Sequence, residues 1–261
     1  MNMKFSKKYQ DKKEEILHFI QFFNEEGTSL NDGKRNLLKI FEFEGEKINI
    51  KSFKIPNAVN KIVYRFFRKS KAERSFEYAS YLISNNIGTP APIAFAENKS
   101  GFAFKDSYYV SEHLDCDLTF RELVTNPDYP NHEEILRAFT RFTFNLHEKE
   151  IEFLDHSPGN TLIQLNNGDY KFFLVDLNRM NFKKLNFEER IKNFSRLTPK
   201  REMVEVMADE YSNFIKEDSV AVFKKMWFYV NKFQEGFFRK KMLKKKLKLK
   251  GFSKDSIYRK S

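Results

Sequence analysis

The run TLIQLNNGDYKFFLVD, residues 161 to 176, constrains the fold more than any other stretch of the chain. Two short apolar segments flank Asn166-Asn167-Gly168-Asp169, residue types that accept the positive backbone angles of a tight hairpin turn. Strands are therefore predicted over 161–165 and 170–175, paired with each other. Asp176 ends the second strand, directly after Phe172-Phe173-Leu174-Val175. Just upstream lies FLDHSPGNTLI, residues 153–163, in which a Pro-Gly pair separates Asp155 from Asn160.

Periodicity places the remaining elements. Ile16, Leu17, Phe19, Ile20 and Phe23 recur at helical spacing. Residues 36–53 alternate in the manner of a second hairpin, turning at Glu44-Gly45. A helix-rich stretch from about residue 57 to 86, broken near Ser70, stops at Ile87-Gly88-Thr89-Pro90. Apolar strands follow at 92–96 and 107–112, then a helix over 132–149, and helical pattern from about 186 to near 250. The order is a sheet-plus-helix part followed by a mainly helical part, an α+β layout of two lobes. Expected boundaries are a helical extension at 1–33, a first lobe at 34–114, a second at 115–238 and a basic tail at 239–261.

The chain has 261 residues, 30 Phe and 11 Tyr, yet is 32% charged, a composition that fills a core with aromatics and excludes a disordered or fibrous chain. A single cysteine, Cys116, leaves no internal disulfide, and no Cys/His cluster suggests zinc. The N-terminus lacks the pattern of a secretory signal and no window approaches the ~20 apolar residues of a spanning helix, so a cytoplasmic protein is expected. A net charge of +11 predicts attraction to something anionic.

Asp155, Asn160 and Asp176 match the demands of phosphoryl transfer. One carboxylate orients the attacking hydroxyl and accepts its proton, while an amide oxygen and a second carboxylate hold Mg²⁺. An ordinary turn would use the same residue types, so the spacing alone does not decide between the two.

The segments LHEKEIEFLDHSPGNTLI and FFLVDLNRM, with INIKSFK, RKSKAERSFEYASYL, IGTPAPIAF and SYYVSEHL before them, resemble the kinase-like superfamily. They are most similar to the lipopolysaccharide kinase family, which phosphorylates Kdo or heptose sugars of the lipopolysaccharide inner core. The resemblance spans roughly residues 34 to 197. It implies a bilobal protein-kinase-like fold and an ATP- and Mg²⁺-dependent phosphotransferase, with Asp155 catalytic and Asn160 and Asp176 on the metal. It further implies that Lys51 holds the nucleotide phosphates, with Lys54 as competitor, and that Glu77, or Glu73, pairs with that lysine. Adenine would be met by the backbone of Glu112, His113 and Leu114. His147 reads as structural, bonding the catalytic loop, and His156 as support or a substrate contact.

Several departures separate the chain from protein kinases. Phe153-Leu154 stands where those enzymes carry His-Arg, Ser157 replaces a lysine two residues after the catalytic Asp, and Asp176 opens Asp-Leu-Asn instead of Asp-Phe-Gly. A GxGxxG loop is absent, for which residues 31–36 are the candidate substitute. A pseudokinase that binds an anionic glycolipid or a partner protein therefore stays open, as does a kinase for a small molecule or a protein. The expected partner is a lipid-linked sugar or lipopolysaccharide precursor. Eight basic residues between Arg239 and Lys250 suit an anionic membrane surface on the inner face of the inner membrane, as an alternative to a solvated tail. A second basic cluster spans residues 61–71. No RNA-binding signature accompanies the charge, so nucleic acid is not the expected partner.

Overall fold

The computed structural model describes residues 1–30, 36–53, 69–100, 103–166 and 168–257. Two compact units emerge, one formed by Met1–Phe120, Phe153–Asp155 and Gly159–Phe182, the other by Arg121–Glu152, His156–Pro158 and Lys183–Ser261.

The first unit is built on a sheet whose strands run β1 (Asn2–Phe5), β2 (Thr28–Ser29), β3 (Asn36–Phe43), β4 (Glu46–Phe53), β5 (Pro92–Ser100) and β6 (Ala103–Glu112) in chain order. In space the order is β1-β5-β6-β4-β3-β2, every neighbour antiparallel. Glu44 and Gly45 turn β3 into β4 with φ of 51° and 82°, the paired positive angles of a type I′ turn. Strands β5 and β6 are longer than their apolar cores suggested, because their polar outer ends, Glu97 among them, also pair.

The two faces of this sheet receive different helices. Ile48 and Ile50 of β4, with Phe41, Phe43 and Val110, pack beneath Ile16, Ile20 and Phe23 of the segment carrying helix α1 (Lys13–Gln21). On the opposite face Phe53 and Phe95 meet Ala72 and Phe76 of helix α2 (Lys71–Ser84). Period-two alternation thus puts Lys51, odd-numbered like Phe53, on the α2 face. Ser70 caps α2, its side chain accepting from the Glu73 N–H at 3.0 Å.

The same unit contains the small sheet β10-β9-β7, formed by β7 (Leu118–Thr119), β9 (Thr161–Asn166) and β10 (Asp169–Leu174). Pairing of Asp169 with Asn166 and of Leu174 with Thr161 is the register expected from the turn residues. Gly88 ties this hairpin down: its carbonyl accepts from the Leu174 N–H at 2.9 Å, and the Thr89 hydroxyl donates to the Leu174 carbonyl at 2.8 Å.

The second unit takes in α3 (Phe120–Thr125) from its second residue onward, then α4 (His132–Glu148), α5 (Phe187–Asn193), α6 (Arg201–Ile215) and α7 (Ser219–Ile257). Asn186 and Glu189 form a reciprocal capping box that starts α5. The interior holds Ile135, Leu136, Phe139, Phe194, Met207, Tyr211 and Met226, all nearly solvent-free.

Candidate active site

The loop after β8 (Ile151–Phe153) and the end of β10 are brought together by backbone and side-chain bonds. Pro158–Asn160 forms a single 3₁₀ turn, which swings Asn160 back so that its Nδ2 donates to the Asp155 carbonyl at 2.8 Å. The Val175 N–H donates to the Asn160 carbonyl at 3.0 Å, setting Asn160 beside the residue that precedes Asp176. A third bond, from the Leu154 N–H to the Arg179 carbonyl at 3.1 Å, joins the residue before Asp155 to the segment after Asp176. The loop residues Asp155 and Asn160 and the strand end that carries Asp176 thus belong to one hydrogen-bonded arrangement.

Asp176 adopts φ 60°, a left-handed angle that a non-glycine residue reaches at a cost of order 1 kcal/mol. Its carboxylate shows what holds it there. Oδ1 accepts from Lys51 Nζ at 2.6 Å and from Asn178 Nδ2 at 2.6 Å. Lys51 reaches this point from the α2 face of β4, with its Nζ also 5.4 Å from the Phe53 ring centroid. Its ammonium is half-buried, so the pair with Asp176 is only partly screened by water.

Other expected contacts are distributed differently. Glu77 accepts from Lys69, eight residues before it, instead of from Lys51. The Lys51 ammonium is engaged by Asp176. Glu73 contributes to the N-terminal turn of α2. Lys54, residues 31–35 of the candidate glycine-loop substitute and residues 61–68 of the second basic cluster lie outside the described residues.

At the end of β6, the expected adenine-binding backbone is partly committed. The Glu112 N–H donates to the Ala91 carbonyl at 2.9 Å and the His113 N–H to the Lys47 carbonyl at 2.9 Å, because the sheet ladder continues through both residues. Among the described residues, the Leu114 N–H has no intramolecular acceptor. The Glu112 side chain faces the N-terminal segment, where it accepts from Lys8 Nζ and the Tyr9 hydroxyl, each at 2.7 Å. Burial alone would raise its pKa, but these two donors outweigh that and hold the carboxyl below its usual range.

The histidines are structural. His147 sits inside the helical unit, Nδ1 2.8 Å from the Tyr211 hydroxyl and Nε2 3.2 Å from Asn193 Oδ1, so its partners are these residues and not the loop anticipated from sequence. Burial strips water from its charged form and lowers its pKa to about 3, only partly opposed by Asn193. His156 is also fully buried, 5.3 Å from the Phe139 ring and 6.5 Å from Phe194, with its pKa lowered by burial to about 4. Solvent-free placement rules out the substrate contact and leaves the supporting role.

Sequence reasoning passed over two residues that the geometry brings to the site. Asn178 was visible only as a departure from Asp-Phe-Gly, and Arg179 only as part of FFLVDLNRM. Arg179 Nη1 lies 3.1 Å from Asp155 Oδ1, with the arginine side chain 55% exposed and the aspartate 17%.

A model of the lipopolysaccharide kinase (Kdo/WaaP) family matches residues 47–222. Among solved structures, one described as WaaP in complex with acyl carrier protein is 14% identical, superposes with a TM-score of 0.62, and is aligned over 89% of this chain and 99% of its own. At that identity the likeness is one of fold, and the fold is protein-kinase-like. No curated protein sequence matches the chain.

Proposed function

The chain belongs to the lipopolysaccharide kinase (Kdo/WaaP) family and is a kinase, and from that premise we propose that it transfers the γ-phosphoryl group of ATP to a sugar hydroxyl of a lipopolysaccharide-core glycolipid. The observation that carries this reading is the placement of Lys51, Asp155, Asn160 and Asp176 in one unit: Lys51 pairs with Asp176 at 2.6 Å, Asn160 bonds Asp155 at 2.8 Å, and the Val175 N–H, next to Asp176, bonds the Asn160 carbonyl at 3.0 Å.

The donor set suits a magnesium-type ion. With Nδ2 of Asn160 committed to Asp155, its Oδ1 is the atom left to coordinate, and the Asp176 carboxylate adds a second hard oxygen. Among the described residues there is no group of three or more His, Cys, Asp and Glu that could hold a metal. Two hard protein oxygens suit an ion whose coordination is completed by phosphate and water. When bound, Mg²⁺ supplies neutralisation of charge on the phosphates.

Each residue of the chain then has a distinct task. Asp155 orients the acceptor hydroxyl and takes its proton. Asn160 and Asp176 hold the metal, and Lys51 holds the nucleotide phosphates while Asp176 fixes its ammonium. Glu77, held by Lys69, has no part in fixing Lys51 in this arrangement. Adenine is met by the Leu114 N–H, while the Glu112 and His113 N–H groups keep the sheet end rigid.

The basic end of α7 supports contact with an anionic membrane. Phe237, Phe238, Met242 and Leu243 are each more than half exposed among Arg239, Lys240, Lys241 and Lys244, and each basic side chain near such a surface contributes about 1 kcal/mol. No helix among the described residues is long and apolar enough to cross a membrane.

The test is transfer of labelled phosphate from ATP into a glycolipid fraction. Asp155→Asn is expected to bind ATP as the wild type does, read by the rise in melting temperature that a bound ligand produces, while transfer falls by at least about 10²-fold. Undiminished transfer in that variant would sink the assignment.

A further inference from the structure

The catalytic loop FLDHSPGNTLI contains no lysine or arginine, and Ser157 occupies the place where protein kinases carry a lysine. Phosphoryl transfer spreads negative charge over the equatorial oxygens of the moving group, so a cation at the transfer point lowers the barrier. The structure brings one there from a different segment. Arg179 Nη1 lies 3.1 Å from Oδ1 of Asp155, the carboxylate read as the base for the acceptor hydroxyl.

Its placement is built in at both ends. The Arg179 carbonyl accepts from the Leu154 N–H at 3.1 Å, so backbone and side chain of one residue grip the consecutive residues Leu154 and Asp155. Just upstream in the same segment, Asn178 Nδ2 and Lys51 Nζ hold Asp176 in its φ 60° conformation, which sets the direction of the chain leading to Arg179. The side chain remains 55% exposed while Asp155 is 17% exposed. The guanidinium therefore approaches the carboxylate from the solvent side with only part of its five-donor fork engaged. Arginine also keeps its charge at every working pH.

We propose that Arg179 is a catalytic residue, supplying from the segment after Asp176 the cation that the catalytic loop lacks. In the transfer step, the acceptor oxygen's lone pair forms the new O–P bond as its proton passes to Asp155. The bond from phosphorus to the bridging oxygen breaks, and its electron pair leaves with ADP. Arg179 donates to an equatorial oxygen of the transferring group through the part of its fork not on Asp155, and the same contact keeps Asp155 aimed.

This inference rests on the kinase reading of the Asp155 site, and the experiment separates the two. Labelled phosphate transfer from ATP into the glycolipid fraction is measured for wild type, Arg179→Gln and Arg179→Lys, with the KM for ATP and the melting temperature with and without ATP. No label from the wild type refutes the underlying reading. With an active wild type, Arg179→Gln is expected to lose about 10²–10³-fold in turnover, with the KM for ATP within about threefold and both melting temperatures unchanged. Arg179→Lys, which keeps the charge, is expected to recover at least about tenfold of that loss. A Gln variant within about threefold of wild-type turnover overturns the proposal, as does a Lys variant no faster than Gln, or a turnover loss accompanied by a matching fall in melting temperature.

Discussion

Gly88→Ala is the substitution whose consequence can be worked most directly from the geometry. A Cβ at this position would lie 2.2 Å from the Phe172 carbonyl oxygen and 3.1 Å from Phe173 Cδ1. The first distance is far inside any tolerable contact with backbone, and the strand it meets cannot step aside as a flexible side chain would. Relief requires residues 88–89 to move away from β10. That breaks the 2.9 Å bond from the Leu174 N–H to the Gly88 carbonyl and the 2.8 Å bond from Thr89 to the Leu174 carbonyl. Each lost bond costs about 1 kcal/mol and residual overpacking about 1–3 kcal/mol, so about 3–5 kcal/mol is expected in all. For a chain of this length that corresponds to a fall of roughly 6–20 °C in melting temperature. Leu174 stands two residues before Asp176, so phosphoryl transfer should fall more than the unfolded fraction explains when assayed below the transition. Differential scanning calorimetry and labelled-phosphate transfer on the same preparation test both halves. A Gly88→Ala protein that melts within about 1 °C of wild type, with unaltered transfer, would refute the reasoning, since it would mean that the 88–89 segment does not brace β10.

Three further outcomes are expected. Lys51→Met should fold, since methionine is an unbranched side chain of similar reach at a half-buried position, but should show a much smaller ATP-induced rise in melting temperature and at least about 10²-fold slower transfer; an unchanged rise would remove Lys51 from the nucleotide site. His147 and His156, with folded pKa values near 3 and 4 against about 6.5 unfolded, bind fewer protons when folded. Their contribution to stability is complete above about pH 6.5 and declines as pH falls, by up to about 2.7 kcal/mol per pH unit for the two together. Melting temperature should drop steeply between about pH 6 and pH 4, and less steeply in His147→Gln; a flat profile across that window would contradict the assignment. Tyr9→Phe removes a donor from Glu112 while keeping the ring, and should cost about 1.5 kcal/mol, or roughly 4 °C. A melting temperature equal to wild type would show that Lys8 alone suffices.

The hairpins were legible because their information is local. Glu44-Gly45 and Asn166-Asn167-Gly168-Asp169 announce turns, and the flanking residues alternate or run apolar over windows of a few residues. Strand β1 carried no comparable signal. NMKF is four residues long and pairs with β5 far along the chain, Asn2 opposite Glu97, so nothing near it in sequence distinguishes it from a loose terminus. The Asp155, Asn160 and Asp176 arrangement could be read because one loop and one hairpin contain all three. Partner choice could not. Glu73 and Glu77 share a face of a helix that was correctly anticipated, yet which cation reaches Glu77 depends on where Lys69 and Lys51 lie in space. Burial decided the case of His156, since adjacency to Asp155 says nothing about which way a ring turns.

Strand β1 lies at one edge of the larger sheet and β2 at the other, so the segment from Asn2 to Ser29, joined through α1, supplies both edge strands of the sheet. Exposed edges are templates for pairing with other chains, and very short edge strands make poor ones; here both edges, of four and two residues, come from a single continuous segment. During synthesis that segment emerges before any strand it will pair with: β3 begins only at Asn36, and the residues of β5 that receive β1, Ala94 to Glu97, come much later still. The segment is therefore made before its partners, and until β5 has left the ribosome the amphipathic stretch around Ile16, Ile20 and Phe23 must travel without its full partner surface. A protease cut near Gly27 would have an equally asymmetric effect, leaving β2 covalently attached at its edge while β1 and α1 are held by packing and strand pairing alone.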